Sequence, residues 1–327
     1  MKWKSWGDWK RDPPPPLEYV IGPKVLYKQG KMMIFGPAGV GKSLLAQRLA
    51  FAVATGTDWM GLDIARPMKV GYSLGESHPT LMFERSAIIE SVDTYDKKLL
   101  DTNLIQSFET QLMLDTPGGL DEVLHDIEAQ GFEFLILDPL EHFKIGSDID
   151  DKAITEVVRA FDKIVETGCT LCVVHHYGKG SFNSKGVEYD RGLHGARGKV
   201  ALTANPWDTI FQVRQIEKEM REFRHAKNRA GPMITDAVTF DINWETMSPV
   251  YRQATTEATK NEKAAEYLPQ IWTPAPAILR LWTTEFGFSE RTARTMLDRL
   301  EVEKIAEVRV DPKRKNQKQV RKAKVDG

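Results

Sequence analysis

Short apolar runs alternate with stretches of helical periodicity from about residue 17 to residue 250. Four of the runs are almost entirely apolar, as strands buried on both faces of a parallel sheet are. These runs are residues 32–35, 70–74, 134–137 and 170–174. Residues 44–54 and 154–165 carry the 3–4 spacing of helices that pack on such a sheet. The pattern predicts an α/β fold with a mostly parallel sheet flanked by helices.

A second, smaller domain is predicted near the end of the chain. Residues 251–265 are rich in Glu, Lys, Ala and Thr and indicate a helical linker. Residues 277–282 favour a first helix, and Ser289 is suited to cap a second one. The inward face of that second helix would hold apolar residues at i, i+3, i+4 and i+7, which are Ala293, Met296, Leu297 and Leu300. Because a strand-like segment and a basic tail follow, residues 266–327 predict a winged helix.

Basic side chains of this second domain are candidates for contact with nucleic acid. Arginines on the second helix point away from its apolar face, and residues 311–327 carry seven Lys or Arg against two acidic side chains. The predicted contacts are Arg291, Arg294, Lys313, Arg314 and Lys315. Their contribution to duplex affinity should fall steeply as the salt concentration rises.

The amino-terminal residues 1–16 form an arm that ends in a stiff Pro13 to Pro16 spacer. The arm carries Trp3, Trp6 and Trp9. Two interpretations remain open, a frayed terminus and an arm whose tryptophans dock on a neighbouring subunit, because exposed indoles are costly to leave in water.

Composition narrows the class of protein. Of the 327 residues, 41% are hydrophobic and 28% are charged, which excludes a disordered chain and describes a soluble globular one. Lys and Arg number 45 against 46 Asp and Glu, so any contact with nucleic acid must come from a local patch. The two cysteines exclude a disulfide framework. Without an apolar run of about 18 residues, we expect a cytoplasmic protein with no membrane contact.

The sharpest chemical signal is an octapeptide that follows the first predicted strand. It matches G-x-x-x-x-G-K-[ST] at every fixed position and consists of Gly36, Pro37, Ala38, Gly39, Val40, Gly41, Lys42 and Ser43. Backbone N–H groups of such a loop converge on phosphate oxygens, while the lysine reaches the β/γ-phosphates and the serine hydroxyl holds Mg²⁺. An apolar strand precedes the loop and an amphipathic helix continues from Leu44. We therefore predict that ATP and Mg²⁺ bind at residues 36–44.

Hydrolysis needs a carboxylate for the metal shell and a second group that activates water. Asp138 ends an apolar strand and is the candidate metal residue, with Ser43. In the branch of P-loop ATPases related to AAA+ a glutamate directly follows that aspartate, but here Pro139 does. Glu76 leaves the strand at residues 70–74, a placement that resembles RecA-like ATPases. We assign Glu76 as the catalytic base, with Glu141 as the alternative.

Paired histidines end the last of the four strands. His175 and His176 emerge beside Asp138, so at least one of them can reach a bound nucleotide. A zinc site that joins these histidines to Cys169 and Cys172 is the weaker interpretation, because positions i and i+3 of a strand face opposite sides. We expect both cysteines to be buried.

Four stretches together resemble the RecA-like hexameric helicase ATPases, most closely the RepA-like plasmid replicative helicases. They are residues 36–43, 70–76, 135–140 with an Asp-Pro-Leu run, and 173–180 with paired histidines before a Gly- and Lys-rich loop. The resemblance covers about residues 17–250 and implies a RecA-like ATPase domain. It also implies that a polar residue in the fourth stretch, here His176, senses the γ-phosphate and signals to a DNA-facing loop.

The resemblance extends to two basic segments. Residues 179–199 resemble the pore loop of these ring ATPases, which implies phosphate contacts from Lys179, Lys185, Arg191 or Arg197; simple flexibility is the alternative. Residues 225–232 resemble the Lys-x-Arg-x-Gly finger of DnaB-like and phage ring helicases. That likeness implies that Lys227 and Arg229 reach the nucleotide of a neighbouring subunit, whereas an ordinary basic hairpin is the other interpretation.

Three functions are compatible with these features. The first is a ring-forming helicase, expected to be a hexamer, that hydrolyses ATP at subunit interfaces and translocates on single-stranded DNA, with duplex contacts from the winged helix. The second is a RecA-like recombination mediator in which ATP switches the affinity of a filament for DNA. The third is a DNA-binding regulator in which ATP gates the winged helix.

Overall fold

The computed structural model describes residues 3–76, 78–107, 112–146, 150–176, 206–216, 219–234, 236–252, 267–285, 290–302, 305–312, 314 and 317–323. Internal contacts divide the chain into two compact units, Met1–Gln253 and Ala254–Gly327. In the described part of the chain, no helix has the length and apolar character needed to cross a membrane.

The first unit is built on a sheet that has nine strands among the described residues. A separate antiparallel pair, β1 (Tyr19–Ile21) and β2 (Leu26–Tyr27), precedes it. The nine strands are β3 (Lys31–Gly36), β4 (Val70–Leu74), β5 (Leu104–Ser107), β6 (Phe134–Asp138), β7 (Thr170–His176), β8 (Thr209–Gln215), β9 (Arg221–Asn228), β10 (Val238–Asn243) and β11 (Ser248–Arg252). Their order is β11-β10-β9-β8-β3-β7-β6-β4-β5. The six strands from β8 to β5 run parallel, and β9, β10 and β11 continue the sheet in antiparallel fashion.

Helices cover both faces of this sheet. They are α2 (Lys42–Thr55), α3 (Pro79–Val92), α4 (Lys97–Asn103), α5 (Pro117–Gln130) and α6 (Asp151–Glu166), and a 3₁₀ turn spans Leu140–Phe143. A short helix, α1 (Trp6–Arg11), lies in the amino-terminal arm and has no buried residue. Along β3, Met32 and Ile34 face the apolar layer that contains α2, whereas Met33 and Phe35 face the layer that contains α5 and α6. The strands β4 and β6 are buried along their whole length. The predicted α/β class is confirmed.

The two cysteines lie in different apolar layers, as their spacing predicts. Cys172 packs in the layer of α2 and Cys169 in the layer of α6, and both are buried free thiols. Burial raises the pKa of the Cys169 thiol to about 12, so it stays protonated at neutral pH. Among the described residues, no group of three or more His, Cys, Asp and Glu side chains could hold a metal. The zinc interpretation therefore finds no support in the fold.

The amino-terminal arm contains a short helix that the sequence pattern did not predict. Ser5 and Asp8 form a reciprocal capping box at the start of α1, which satisfies backbone donors that have no helical partner. The indoles stay exposed, with relative exposures of 87% for Trp3, 74% for Trp6 and 41% for Trp9. Docking of this arm on a neighbouring subunit stays a prediction.

Among its described residues, the second unit combines two helices with a three-stranded antiparallel sheet. Its elements are β12 (Thr273–Pro274), α7 (Ala275–Glu285), α8 (Glu290–Val302), β13 (Ala306–Val310) and β14 (Lys318–Lys322), with strand order β12-β14-β13. The residues expected on the inner face of the second helix, Ala293, Met296, Leu297 and Leu300, are all buried around Trp282. The assignment of this unit to the winged-helix class stays a prediction.

Candidate nucleotide-binding site

The loop between β3 and α2 lies where several parallel strands end. Because β3, β4, β6 and β7 are parallel, their carboxyl ends lie at one edge of the sheet, which we call the phosphate-loop edge. Gly41 caps α2 with a φ of +98°, and a Cβ at this position would come within 2.6 Å of the Ile242 Cδ1 atom. Only glycine satisfies both constraints without strain. The first turn of α2 then offers backbone N–H groups without helical partners, which suit an anion.

Lys42 lies inside this loop instead of extending into solvent. Its side chain is almost fully buried, and its Nζ donates a hydrogen bond to the Pro37 carbonyl oxygen at 2.8 Å. The same Nζ lies 3.1 Å from Nδ1 of His176. An ammonium group can only donate, so Nδ1 accepts and the neutral ring carries its proton on Nε2. Burial and the Lys42 charge both lower the pKa of His176, which keeps the ring neutral.

Asp138 forms the polar floor of the site. Its fully buried carboxylate accepts hydrogen bonds from the Ser43 hydroxyl at 3.1 Å and from the Tyr72 hydroxyl at 2.8 Å. Burial raises the pKa of Asp138 to about 6, although the two hydroxyls and Lys42 partly oppose that shift. A serine hydroxyl and a carboxylate in contact are the hard oxygen donors that Mg²⁺ prefers, so this pair fits the metal. The sequence analysis did not predict the contact of Tyr72 with Asp138, because a tyrosine within an apolar strand is expected to be a core residue.

The raised pKa of Asp138 predicts that this carboxylate destabilises the nucleotide-free protein. The ionised form is disfavoured in the folded state, so the loss of folding stability is complete above about pH 6. It disappears as the pH falls toward 3.8, the pKa of this carboxyl in the unfolded chain. Asp138→Asn should therefore increase the free energy of unfolding by up to about 3 kcal/mol at pH 8 and by nearly nothing below about pH 4. Denaturant titrations of both proteins at these two pH values measure the difference.

Asp101→Asn is the matched control, because Asp101 is an exposed carboxylate on α4. It should leave the free energy of unfolding close to that of the wild type at both pH values. An Asp138→Asn protein that is less stable than the wild type at pH 8 would contradict the electrostatic cost assigned to this group.

Glu76 lies between two histidines at the same edge. Its Oε1 is 3.5 Å from Nε2 of His176 and 3.5 Å from Nε2 of His142, and the carboxylate is half-exposed. Gly75 makes this arrangement possible, since a Cβ there would come within 2.4 Å of the His142 Cβ. The Gly75 N–H also donates to the Asp138 carbonyl oxygen at 2.8 Å, which ties the end of β4 to the end of β6. Sequence analysis missed His142; its position four residues after Asp138 was the available signal.

Comparison with known protein families agrees with this geometry. The family model described as "AAA domain" matches residues 2–181, which is more than half of the chain. The chain belongs to this AAA domain family. It is therefore a P-loop ATPase of the AAA type, a class that binds nucleotide, typically with Mg²⁺. The matched residues of this AAA domain include the phosphate loop, Glu76, Asp138 and both histidines of β7.

The AAA domain places its paired histidines on opposite faces of the sheet. His176 faces the layer of α2 and Lys42, so His175 faces the other layer, as alternation along a strand requires. His175 is fully buried, with Nδ1 3.5 Å from Oε1 of Glu141. Of the two histidines, only His176 lies beside Lys42. His175 therefore contacts Glu141, and its predicted contact with nucleotide stays a prediction.

Glu141, the alternative catalytic base, lies next to His175, on the face of the sheet that faces away from Lys42. Burial raises its pKa, but the contact with His175, a backbone hydrogen bond and the electrostatic effect of His176 together outweigh burial and bring the pKa of Glu141 down to about 2. A carboxylate with so low a pKa is a poor proton acceptor near neutral pH. The geometry therefore favours Glu76 over Glu141 as the candidate base, because Glu76 is half-exposed at the phosphate-loop edge.

Lys227 and Arg229 lie at the end of the sheet opposite the phosphate-loop edge, where the strands β3 and β8 begin. The strand β9 runs antiparallel to β8, and its last residue, Asn228, pairs with Thr209 at the start of β8. The Arg229 N–H donates to the Asp208 carbonyl oxygen at 2.8 Å, and Asp208 in turn bonds the backbone of Lys31 at the start of β3. The six-residue strand β3 separates this position from the phosphate loop, a distance of about 16 Å.

Several predicted nucleic-acid contacts lie outside the described residues. They are Lys179, Lys185, Arg191, Arg197, Lys313 and Lys315, and the side chain of Arg291 is also outside. Of the remaining two, Arg294 is exposed on α8 with Nη2 3.9 Å from Oε2 of Glu290, and Arg314 lies between β13 and β14. The AAA domain match ends at residue 181, so it bears on neither of them.

Proposed function

We propose that this AAA-type ATPase is a DNA motor that assembles as a ring, with six subunits expected, and translocates on single-stranded DNA. The observation that carries the proposal is the separation of Lys227 and Arg229 from the phosphate loop of their own subunit. These cations lie at the amino-terminal edge of β3, whereas Lys42 follows its carboxyl end. If they act in hydrolysis, they must act on the nucleotide of another subunit.

Within one subunit, the phosphate-loop edge supplies the groups that bind and hydrolyse ATP. Backbone N–H groups of residues 36–44 and the Lys42 ammonium would hold the phosphates. Ser43 and Asp138 would hold Mg²⁺, which neutralises phosphate charge when bound. Glu76 would accept the proton of the attacking water, because it is the half-exposed carboxylate at this edge.

His176 connects the phosphate-binding group to the proposed base. Its Nδ1 faces Lys42 at 3.1 Å, and its Nε2 faces Glu76 at 3.5 Å. Movement of either partner therefore changes the environment of the ring. His176 is also the last residue of β7, directly before the segment for which DNA contact is predicted. This position supports a role in reporting phosphate loss to residues 179–199.

Arg229 is suited to act across a subunit interface. Its guanidinium is half-exposed, and its Nη1 lies 3.8 Å from Oδ1 of the buried Asp208. The Asp208 backbone and side chain both bond the start of β3, so the contact keeps Arg229 close to a rigid strand. A guanidinium delivered to the γ-phosphate neutralises transition-state charge and contributes roughly 10³- to 10⁵-fold in rate.

ATPase assays with and without single-stranded DNA, combined with mass measurement of the assembled protein, test the proposal. We expect multimeric particles whose turnover rises several-fold with single-stranded DNA and which displace a strand from a forked duplex. A monomeric protein with the same turnover would contradict the shared site. Open filaments that do not displace a strand would favour a recombination mediator, and tight binding of one duplex sequence without stimulated turnover would favour a regulator.

A further inference from the structure

The outer face of the small sheet in the second unit carries a cluster of polar and aromatic side chains. Ala306 and Val320 point into the buried core of this unit. Side chains alternate between the two faces of a strand, so the residues that alternate with Ala306 along β13 and with Val320 along β14 point outward. The outward residues of the paired strands β13 and β14 are Glu307, Arg309, Gln319 and Arg321. We call this surface the outer sheet face.

Trp272 covers two arginines on this face. The Cζ atom of Arg309 lies 4.0 Å from the centroid of the indole ring, and that of Arg321 lies 4.5 Å away. Trp272 directly precedes Thr273, which pairs with Val320, so the register brings the indole alongside Arg321. The indole is half-buried, and it is not among the residues that form the core of this unit. Cation–π contacts on the outer sheet face, and not core packing, therefore fix its position.

The two arginines differ in how much of their charge is compensated. Arg321 donates from Nη2 to Oε2 of Glu307 at 2.6 Å, so an acidic partner neutralises it. Arg309 donates from Nε and Nη2 to Oε1 of Gln319, at 3.0 and 2.9 Å, and this acceptor is neutral. The four outward residues carry two arginines against one glutamate. The face therefore combines an ordered aromatic ring with excess positive charge.

This combination matches the chemistry of unpaired nucleotides. Single-stranded nucleic acid offers flat base faces for stacking and phosphates for cations, whereas a duplex hides its base faces within the stack. Fixing the indole in advance lowers the entropy lost when a base stacks on it. An isolated basic helix face such as that of α8, with the exposed Arg294, provides charge but no aromatic platform in the described residues.

We propose that the outer sheet face of the second unit binds single-stranded nucleic acid through stacking on Trp272 and phosphate contact with Arg309. This inference rests on the proposed action on DNA but assigns binding to a surface other than the phosphate-loop edge and the helix α8. Arg321, fixed by Glu307, acts as a positioning residue that holds the indole.

Binding of fluorescent oligothymidine to the full chain without nucleotide, followed by anisotropy, tests the proposal. Trp272→Ala should weaken binding about tenfold or more, in line with one stacked base, while Trp272→Phe should retain most of it. Arg309→Gln should weaken binding and reduce the slope of log affinity against log salt by about 0.7. Arg280→Gln, the same change at an exposed arginine of α7, is the matched control and should have little effect on binding of the single strand.

Four results would overturn the proposal. Three of them are wild-type affinity in both Trp272→Ala and Arg309→Gln, a larger loss from Arg280→Gln than from Arg309→Gln, and equal losses for a duplex of the same length. A wild-type chain that does not bind oligothymidine would overturn it as well. Trp272→Phe and Arg309→Gln keep the test valid if Trp272→Ala fails to fold. Because the assay contains no ATP, Trp272-dependent binding without stimulated ATPase turnover would count against the proposed motor and leave this inference standing.

Discussion

Lys42→Ala should reduce ATP hydrolysis by at least about 10²- to 10³-fold, since an ammonium aimed at developing phosphate charge is lost from a water-poor site. Lys42 is almost fully buried and already oriented by the Pro37 carbonyl oxygen and by His176. A preorganised cation of this kind needs little rearrangement during the reaction, which makes its contribution large. Steady-state phosphate release under saturating Mg·ATP measures the effect.

Lys163→Ala is the matched control for this substitution. Lys163 is an exposed lysine on α6 that pairs with Glu166 on the same helix, so its removal should leave turnover unchanged. Thermal unfolding of both variants verifies that the fold is kept. If Lys42→Ala hydrolysed ATP as fast as the control, the role assigned to the phosphate loop would be contradicted.

Mixing two inactive variants should restore hydrolysis if the site is shared between subunits. Glu76→Gln disables the proposed base at the phosphate-loop edge, and Arg229→Ala removes the proposed finger at the opposite edge. In a ring of head-to-tail contacts, an interface can join an intact phosphate-loop edge from one subunit to an intact Arg229 from the next. At equal amounts, about one quarter of the interfaces are complete in this sense. Phosphate release across a series of mixing ratios should therefore pass through a maximum.

A second mixture provides the control for that experiment. Lys42→Ala and Glu76→Gln both damage the phosphate-loop edge, so no interface between these variants contains a complete site, and no ratio should recover turnover. Mass measurement must show that both mixtures assemble equally well. If phosphate release stays at the background level in both assembled mixtures, hydrolysis across the interface is contradicted. Recovery in both mixtures would show that the site is not divided between subunits in the way proposed.

Much of the fold could be predicted because its signal is local in the sequence. The four apolar runs became β3, β4, β6 and β7, since strands buried on both faces need apolar residues at nearly every position. The helix α1 was missed because its six residues show no apolar period, and the Ser5–Asp8 capping box stabilises it instead. The strand β9 was described only as a hairpin, because its Arg, His and Lys residues hide an alternating burial pattern.

The candidate site was predicted less completely than the fold. His175 and His176 are equivalent as a sequence pair, but the phase of β7 directs one toward Lys42 and the other toward Glu141. That phase depends on which neighbour each strand residue packs against, and this information is not contained in the pair itself. Tyr72 was missed for a related reason, because a buried tyrosine in an apolar strand looks like core until its hydroxyl meets Asp138.

The sequence by itself determined the phosphate loop, since its contacts come from one continuous stretch of backbone whose conformation glycines such as Gly41 permit. It also determined the alternation of buried strands and helices. Only the tertiary structure decided which groups meet, including the approach of His142 to Glu76 and the placement of Arg229 at the far edge of the sheet. The physical reason is that strand order and register join residues distant in the chain, and a change of one residue in register would turn every side chain of a strand to the other face.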